Sequence, residues 1–207
     1  QEAETISKLF DGDLYNAKLA TKQTFINQME KYKIFHLSMH SQLYEDDFNK
    51  SFLLFSNNEK LYFSELYGMN IPAHMVVLSA CNTGNGLMKS GEGIMSMSRA
   101  LSYAGVQSAI VSLWQVPDKE TAEIMVSFYQ NLKEGQSKAE ALANAKTKFI
   151  TANPMKNHPF YWAGFIINGD ASPIYNPYTW WIIGFGLLVV VGILTIIFRK
   201  RLFQVSK

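Results

Sequence analysis

The residue best suited to chemistry in this chain is Cys81, its only cysteine. It follows the apolar run Met75 to Leu78, which predicts a strand buried on both faces, as in a parallel sheet. Turn-forming residues follow at positions 82–86 (NTGNG). Cys81 is therefore expected where a buried strand ends, and such side chains line ligand crevices in open α/β sheets. A free cysteine is also often a small buried hydrophobic residue, and position alone leaves both interpretations open.

A histidine ends a second strand-like stretch, residues 32–39 (YKIFHLSM). Alternate residues of a strand share a face, so His36, Ser38 and His40 are expected to point the same way, with His40 at the tip. Neighbouring parallel strands would bring His40 and Cys81 together. An imidazole can then take the thiol proton, and the thiolate can attack a carbonyl carbon. Histidine precedes cysteine here, as in caspase-like rather than papain-like peptidases.

The other candidate ligands give weaker patterns. His36 is flanked by apolar residues, so we expect a buried structural or supporting role, and His74, which precedes the buried strand, is expected to be a loop residue. None of them has metal-ligand spacing with Cys81, so no metal site is predicted. The glycines near Cys81 lack the lysine and hydroxyl residue that a P-loop requires. The sequence therefore predicts chemistry without a cofactor.

Helical and strand-like stretches alternate along the chain, which predicts an α/β fold built on one layered sheet. Thr21 is expected to cap a helix, as are Ser64 and Ser137, the last in a capping box with Glu140. Helices are predicted at residues 1–9, 21–31, 64–67, 92–103, 118–133 and 137–150, and strands at 14–15, 32–39, 75–78, 107–114 and 160–168, with a hairpin over 51–63.

Residues 178–198 form a run of 21 residues without a charge. As a helix this run is about 31 Å long, which matches a bilayer core and predicts a transmembrane helix. Two tryptophans lie at one end and the triplet Arg199, Lys200 and Arg201 at the other. The positive-inside rule predicts a cytoplasmic basic tail, residues 199–207, and a preceding domain on the other side of the membrane. Residues 171–177 are the expected linker.

Composition excludes some classes of function. The formal net charge is +2, but four of the cations lie beyond residue 198, and removing them leaves −2 for the rest of the chain. No basic face for nucleic acid is indicated. A single cysteine offers no intrachain disulfide and does not identify the redox compartment. Because the first residue is Gln1, we expect the chain to be the C-terminal part of a longer protein.

Six blocks of the sequence together resemble the CHAT domain, a bacterial relative of caspases and separase. They are IFHLSMHS, VVLSACNTGNG, GEGIMSMSRALSYAG, SAIVSLWQVPDKET, LKEGQSKAEAL and NHPFYWAGFIINGD, in that order. The resemblance covers residues 1–170 and implies a caspase-like three-layer α/β/α sandwich with a mostly parallel sheet, here lacking its N-terminal strands. It implies a cysteine endopeptidase with a protein or peptide substrate, and tetratricopeptide repeats upstream or another regulatory protein as a partner.

The resemblance assigns Cys81 as the nucleophile and His40 as the base. Gly84 and Gly86 would shape the loop beside the thiol, and backbone N–H groups at Cys81 and after His40 would form the oxyanion hole. The family has glycine directly after the histidine, whereas this chain has Ser41. Serine resists the backbone angles that only glycine adopts easily, so a degraded active site is one outcome of this difference.

Asp118, in SLWQVPD, matches an acidic residue that in separase-like relatives meets a basic residue before the cleaved bond. This implies substrates with Arg or Lys at that position. The alternative is that Asp118 only caps a helix beginning at Lys119. Trp114, in the same block, is expected to line the core or the substrate pocket.

Two other functions remain open. The chain could be a membrane-tethered pseudo-peptidase that binds a partner through the same pocket, which Ser41 favours. It could also be an unrelated thiol transferase, although nothing resembles a group-carrier site. An activated thiol reacts with electrophiles faster than a free thiol, which separates an enzyme from a binding module.

Overall fold

The computed structural model describes residues 2–44, 47–79 and 92–175, with the side chains of α4 from residue 97 onward, and six helical positions between 184 and 192. The chain divides into two compact units, Gln1–Ile174 and Tyr175–Lys207. The first unit contains the seven described strands and the six helices named below.

The elements of the first unit follow the predicted alternation. The strands are β1 (Ile34–Leu37), β2 (Ser41–Gln42), β3 (Phe52–Leu54), β4 (Lys60–Tyr62), β5 (Met75–Leu78), β6 (Ser108–Ser112) and β7 (Phe165–Gly169). The helices are α1 (Glu2–Phe10), α2 (Lys22–Gln28), α3 (Phe63–Leu66), α4 (Glu92–Tyr103), α5 (Asp118–Lys133) and α6 (Lys138–Ala152).

The main sheet has the strand order β1-β5-β6-β7. The strands β1, β5 and β6 are parallel, and β7 runs antiparallel to β6. In this register Leu37 lies opposite Leu78, and Leu78 lies opposite Val111. Every residue of β5 and β6 is buried. The predicted mixed α/β fold with a mostly parallel sheet is confirmed.

Helices cover both faces of this sheet because its strands are apolar on both sides. On one face Val76 and Leu78 pack in a cluster with residues of α2, α3, α4 and the smaller sheet. On the other face Val77 and Ile110 pack in a cluster with residues of α1, α5 and α6. The result is a layer of helices on each side of the sheet.

A second, antiparallel sheet of order β2-β3-β4 follows β1. The predicted hairpin is confirmed: β3 and β4 pair around Asn57 and Asn58, which have φ angles of 60° and 59°. Asparagine tolerates these left-handed angles better than most residues. The Leu54 N–H donates to the His40 carbonyl oxygen at 2.9 Å, which ties β3 to the turn after β1.

Two of the three predicted helix caps are confirmed. The Thr21 hydroxyl accepts a hydrogen bond from the Thr24 N–H at 2.9 Å, and Ser137 forms the capping box with Glu140. The cap assigned to Ser64 is wrong, because this residue lies inside α3 and the preceding Tyr62 N–H is bound by the Glu65 carboxylate.

Two predicted strands also need correction. Residues 14–15 are not a strand. The last strand begins only at Phe165, because Pro159–Tyr161 form a 3-10 turn. The His158 ring accepts a hydrogen bond from the Phe160 N–H at 3.2 Å, and proline has no N–H for a strand ladder. Local side-chain bonding therefore replaces the first half of the predicted strand.

Most of the predicted membrane segment, residues 178–198, lies outside the described residues. The described positions within it are helical, and Leu187, Leu188 and Val190 are exposed. In the part of the chain that the structure describes, we find no helix with both the length and the apolar character needed to cross a bilayer.

Candidate functional site

The candidate site lies at the carboxyl ends of β1 and β5, which are neighbouring parallel strands as predicted. His36 pairs with Val77, an offset of 41 residues between the strands. His40 follows the end of β1 and is exposed, and its imidazole has no hydrogen-bond partner among the described residues. A solvent-accessible imidazole next to the end of a buried strand is available to act as a base.

Cys81, Gly84 and Gly86 fall in residues 80–91, outside the described residues. The described part of this strand ends at Ser79, whose N–H donates to the Leu37 carbonyl oxygen at 3.3 Å. The roles assigned to Cys81 and the two glycines stay predictions.

Ser41, the residue after the candidate base, is the first residue of β2 and pairs with Leu53. Its backbone is not among the non-glycine positions with positive φ, so it carries none of the strain that glycine would relieve. The side chain is 4% exposed, and its hydroxyl has no partner within the described residues. A serine is thus accommodated here without an unusual backbone conformation, at the expense of one unpaired buried hydroxyl.

His36 is the centre of a buried polar network near the carboxyl ends of β1 and β5. Its side chain is 8% exposed. The Nδ1 atom lies 3.2 Å from the Tyr129 hydroxyl, and the Nε2 atom lies 3.1 Å from Glu2 Oε1 and 3.3 Å from Ser79 Oγ. The expectation of a buried, hydrogen-bonded His36 is confirmed.

The electrostatics of this network favour a defined hydrogen-bond pattern. Burial raises the pKa of Tyr129 well above its ordinary value, and the charge of Glu2 raises it further. The Tyr129 phenol therefore stays protonated and can donate a hydrogen bond to His36 Nδ1, an arrangement in which the Nε2–H faces the Glu2 carboxylate. The partners come from α1, from α5 and from Ser79 directly after β5, so one imidazole joins three parts of the chain to β1.

Asp118 lies beyond the carboxyl end of β6. It is the first residue of α5, and Pro117 precedes it as the N-cap residue, with no side-chain cap. The alternative that Asp118 caps a helix beginning at Lys119 is therefore wrong. The carboxylate is exposed and has no hydrogen-bond partner in the described parts of the chain. It is free to bind a cation.

Trp114 is held beside β6 by polar contacts at both its backbone and its ring. The Ser112 hydroxyl donates to the Trp114 carbonyl oxygen at 2.6 Å, and the Trp114 indole N–H donates to the Phe160 carbonyl oxygen at 2.8 Å. The ring packs against the apolar cluster that the sheet forms with α1, α5 and α6. Trp114 is half-buried. Trp114 is therefore fixed beside β6, and its role in a substrate pocket stays a prediction.

The first turn of α5 is also tied to the loop after α6. The Glu120 carboxylate, which is 6% exposed on its side chain, forms an ion pair with Lys156. Burial is the largest single effect and would raise the pKa of Glu120, but the hydrogen bond from Lys156, a backbone hydrogen bond and the charges of Lys156 and Lys119 together hold the pKa below its ordinary value. This ion pair anchors the helix end that carries Asp118.

Several residues of this region were not found by sequence reasoning. Glu2 and Tyr129 complete the His36 network, and Phe160 binds Trp114 through its carbonyl oxygen. Tyr129 follows the inward-facing Phe128 in α5, but no local pattern indicates which strand residue it meets. Among the described side chains no cluster of three potential metal ligands occurs.

The model of the CHAT domain matches residues 1–170 of this chain. Tetratricopeptide repeat protein 28 from Homo sapiens is 29% identical over 114 residues, which cover 55% of this chain and 4% of that protein. The protein of the same name from Mus musculus is also 29% identical over 114 residues, 55% of this chain and 5% of its own length. The chain thus matches only a small part of each relative. The resemblance to the CHAT domain is confirmed, while a bacterial origin stays a prediction.

Proposed function

Because this chain belongs to the CHAT domain family, whose domain is related to caspase-like peptidases, we propose that it is a cysteine endopeptidase with a His40–Cys81 dyad. The observation that carries the proposal is the register of β1 and β5. His36 pairs with Val77 at an offset of 41 residues. The same offset separates His40 from Cys81 in the sequence. In the sequence each of the two residues follows the last residue of its strand by three positions, which supports their pairing as a dyad.

In the proposed mechanism the His40 imidazole takes the proton of Cys81, and the thiolate attacks the carbonyl carbon of the scissile peptide bond. The tetrahedral oxyanion is held by backbone N–H groups, those of Cys81 and Ser41, in a loop shaped by Gly84 and Gly86. Protonated His40 then gives its proton to the leaving amine. Water hydrolyses the thioester and regenerates the thiol. No cofactor takes part in these steps.

Substrate preference is proposed to come from Asp118 and Trp114. An exposed, unpaired carboxylate beyond the end of β6 can form a charge-assisted hydrogen bond with Arg or Lys of the substrate. Trp114 offers an aromatic surface for the aliphatic part of such a side chain. The ion pair between Glu120 and Lys156 supports the turn from which Asp118 projects. We propose cleavage after a basic residue.

The second candidate function is a pseudo-peptidase that binds a protein partner through the same pocket. Ser41 favours it, because this side chain replaces the glycine of the family next to the base. The extended backbone of Ser41 opposes it, since no left-handed geometry is required at that residue. Both functions use the same surface, and they differ in whether Cys81 is activated.

We also propose that residues 178–198 anchor the domain in a membrane as a single span, with the basic tail cytoplasmic and the domain on the other side. The uncharged length and the Arg199–Lys200–Arg201 flank support this proposal. Retention of the chain in membranes after extraction at high pH would support it, and release would contradict it. Protease digestion of sealed vesicles tests the orientation.

Regulation by tetratricopeptide repeats, in the same chain or in a partner, is proposed from the names of the two mammalian relatives. Co-purification of the full chain with such a repeat protein, followed by cleavage assays, tests whether repeats control activity.

The test of the peptidase proposal is labelling of Cys81 by an arginine-containing acyloxymethyl ketone, with the chain in membranes. Rapid labelling that is lost in Cys81→Ala and falls about 10²-fold or more in His40→Ala is expected. His74→Ala is the matched control and should label at the parental rate. Labelling no faster than a free thiol and independent of His40 would instead indicate the binding module.

A further inference from the structure

The His36 network links the two strands that carry the candidate dyad. His36 lies on β1, four residues before His40, and Ser79 follows β5, two residues before Cys81. The last described rung between these strands is the bond from Ser79 N to the Leu37 carbonyl oxygen, at 3.3 Å. The contact from His36 Nε2 to Ser79 Oγ, also 3.3 Å, adds a side-chain link at this level.

The imidazole that makes this link is held in one orientation. Both of its ring nitrogens have partners, and its ring makes an edge-on contact with Tyr129 at 5.5 Å between centroids. Glu2 also contacts Ser38, the residue two beyond His36, at 3.5 Å. Because residues of α1 and α5 hold the His36 ring in place, the ring can hold the ends of β1 and β5 in place.

The geometry excludes a second catalytic centre at His36. A relay of the Ser-His-Asp type needs the carboxylate and the nucleophile on opposite ring nitrogens. Here Glu2 and Ser79 both approach Nε2, and Tyr129 occupies Nδ1. Ser79 is 4% exposed, so substrate cannot reach its hydroxyl.

We propose that His36 is a positioning residue of the peptidase, which holds the carboxyl ends of β1 and β5 in register so that His40 activates Cys81. The inference rests on the proposed function. Its energetic basis is that β1 and β5 end at Leu37 and Leu78 and that the last described rung between them is made by Ser79, so the side-chain contact of His36 with Ser79 adds to the alignment at this level. A displacement of about 1 Å between reacting groups can cost about 10²-fold in rate.

Two substitutions of His36 by amide residues distinguish the contacts of Nε2 from the contact of Nδ1. In His36→Gln the longer side chain places its amide near the Nε2 position, which preserves the contacts to Glu2 and Ser79. In His36→Asn the amide lies near the Nδ1 position and preserves only the contact to Tyr129. Ser79→Ala removes the link from the β5 side. Ser108→Ala is the matched control, because Ser108 is equally buried but donates to the His74 carbonyl oxygen at the opposite end of the sheet, at 2.7 Å.

The experiment measures the rate of Cys81 alkylation by iodoacetamide against pH in the full chain. Cys81 is the only thiol, so the signal has one source. Proton transfer to His40 gives a reactive thiolate below the free-thiol pKa of about 8.5. We expect His36→Asn and Ser79→Ala to lose about tenfold or more of the rate at pH 6 and to move the profile toward that of a free thiol. His36→Gln and Ser108→Ala should keep the parental profile.

The outcomes separate the two proposals. A parental profile like that of a free thiol and insensitive to His40→Ala overturns the peptidase proposal, and the positioning role with it. A parental profile that depends on His40 but is unchanged in His36→Asn and Ser79→Ala overturns the positioning role alone. Equal loss in His36→Gln and His36→Asn also overturns it, because the contact at Nε2 would then not be the one that matters.

Discussion

Two polar groups at the amino-terminal ends of β5 and β6 are paired, whereas two side chains just beyond the carboxyl end of β1 have no partner among the described residues. The Ser108 hydroxyl donates to the His74 carbonyl oxygen, and the His74 N–H donates to the Lys33 carbonyl oxygen at 2.8 Å. At the other end, the side chains of His40 and Ser41 have no hydrogen-bond partner within the described ranges.

This difference distinguishes groups that stabilise the fold from groups that are available to a ligand. An exposed polar group without a protein partner does not lower the stability of the fold, because water forms its hydrogen bonds. A buried polar group without a partner does lower it. Ser41 is the buried one, at 4% exposure. Three pairs of substitutions test this comparison. In each pair the two residues differ either in the end of the sheet at which they lie or in whether the side chain has a hydrogen-bond partner.

The largest effect is expected for two glycines. Gly169 lies opposite Ser108 and has a φ of +96°, and an added Cβ would collide with the Gln107 carbonyl oxygen. Gly169→Ala should lower the free energy of unfolding by about 3 kcal/mol or more, because strain and overlap with rigid backbone add. Urea denaturation monitored by circular dichroism measures this loss.

Gly164→Ala is the counterpart at the other end. Its Cβ would lie 2.9 Å from Ser112 Oγ, 3.0 Å from Val116 Cγ2 and 3.1 Å from the Trp114 ring, which are side-chain rather than backbone atoms, and its φ is not positive. A smaller loss of about 1–2 kcal/mol is expected. Equal losses of unfolding free energy in the two variants would mean that the sheet is no more rigid at Gly169 than at Gly164.

The second effect concerns two carboxylates of α5. Asp118→Asn should lower kcat/KM for an arginine substrate by about 10-fold to 100-fold, because a charge-assisted hydrogen bond is worth about 1.5–3 kcal/mol. Glu123→Gln is the control, since the exposed Glu123 already accepts a hydrogen bond from Asn153 at 2.8 Å. Steady-state cleavage of Arg and Leu peptides checks both. An unchanged preference for Arg over Leu in Asp118→Asn would contradict the specificity role.

The smallest effect is a difference in sign between two buried serines. Ser108→Ala removes a hydrogen bond and should lower the free energy of unfolding by about 1 kcal/mol. Ser41→Ala removes an unpaired hydroxyl and should leave it unchanged or raise it by up to about 1 kcal/mol. Thermal denaturation of both variants is the measurement, and a loss in Ser41→Ala would show that this hydroxyl has a partner outside the described residues.

Much of the fold was predictable because its signals are local. The buried runs of β5 and β6, the caps at Thr21 and Ser137 and the hairpin around Asn57 depend on residues within a few positions of one another. The errors arose where local bonding competed with a strand pattern. The Phe160 N–H binds the His158 ring, so the last strand begins later than its apolar residues indicate.

The candidate site was predictable only in part. Alternation along β1 and the order of the strands suffice to propose that His40 and Cys81 meet, and the structure shows that β1 and β5, the strands before them, are parallel neighbours. The exact first residue of α5 could not be predicted, because proline and aspartate are both common where helices begin.

The sequence by itself determined the α/β class, the apolar strands, the family and the chemical identity of the candidate dyad, because these depend on residue types and short spacings. Only the tertiary structure decided that Glu2, Tyr129 and Ser79 converge on His36, that Ser41 needs no left-handed backbone, and that Asp118 remains unpaired among the described residues. Those facts depend on contacts between residues far apart in the chain, such as the 3.2 Å contact of His36 with Tyr129. No local pattern encodes which distant side chain will lie there.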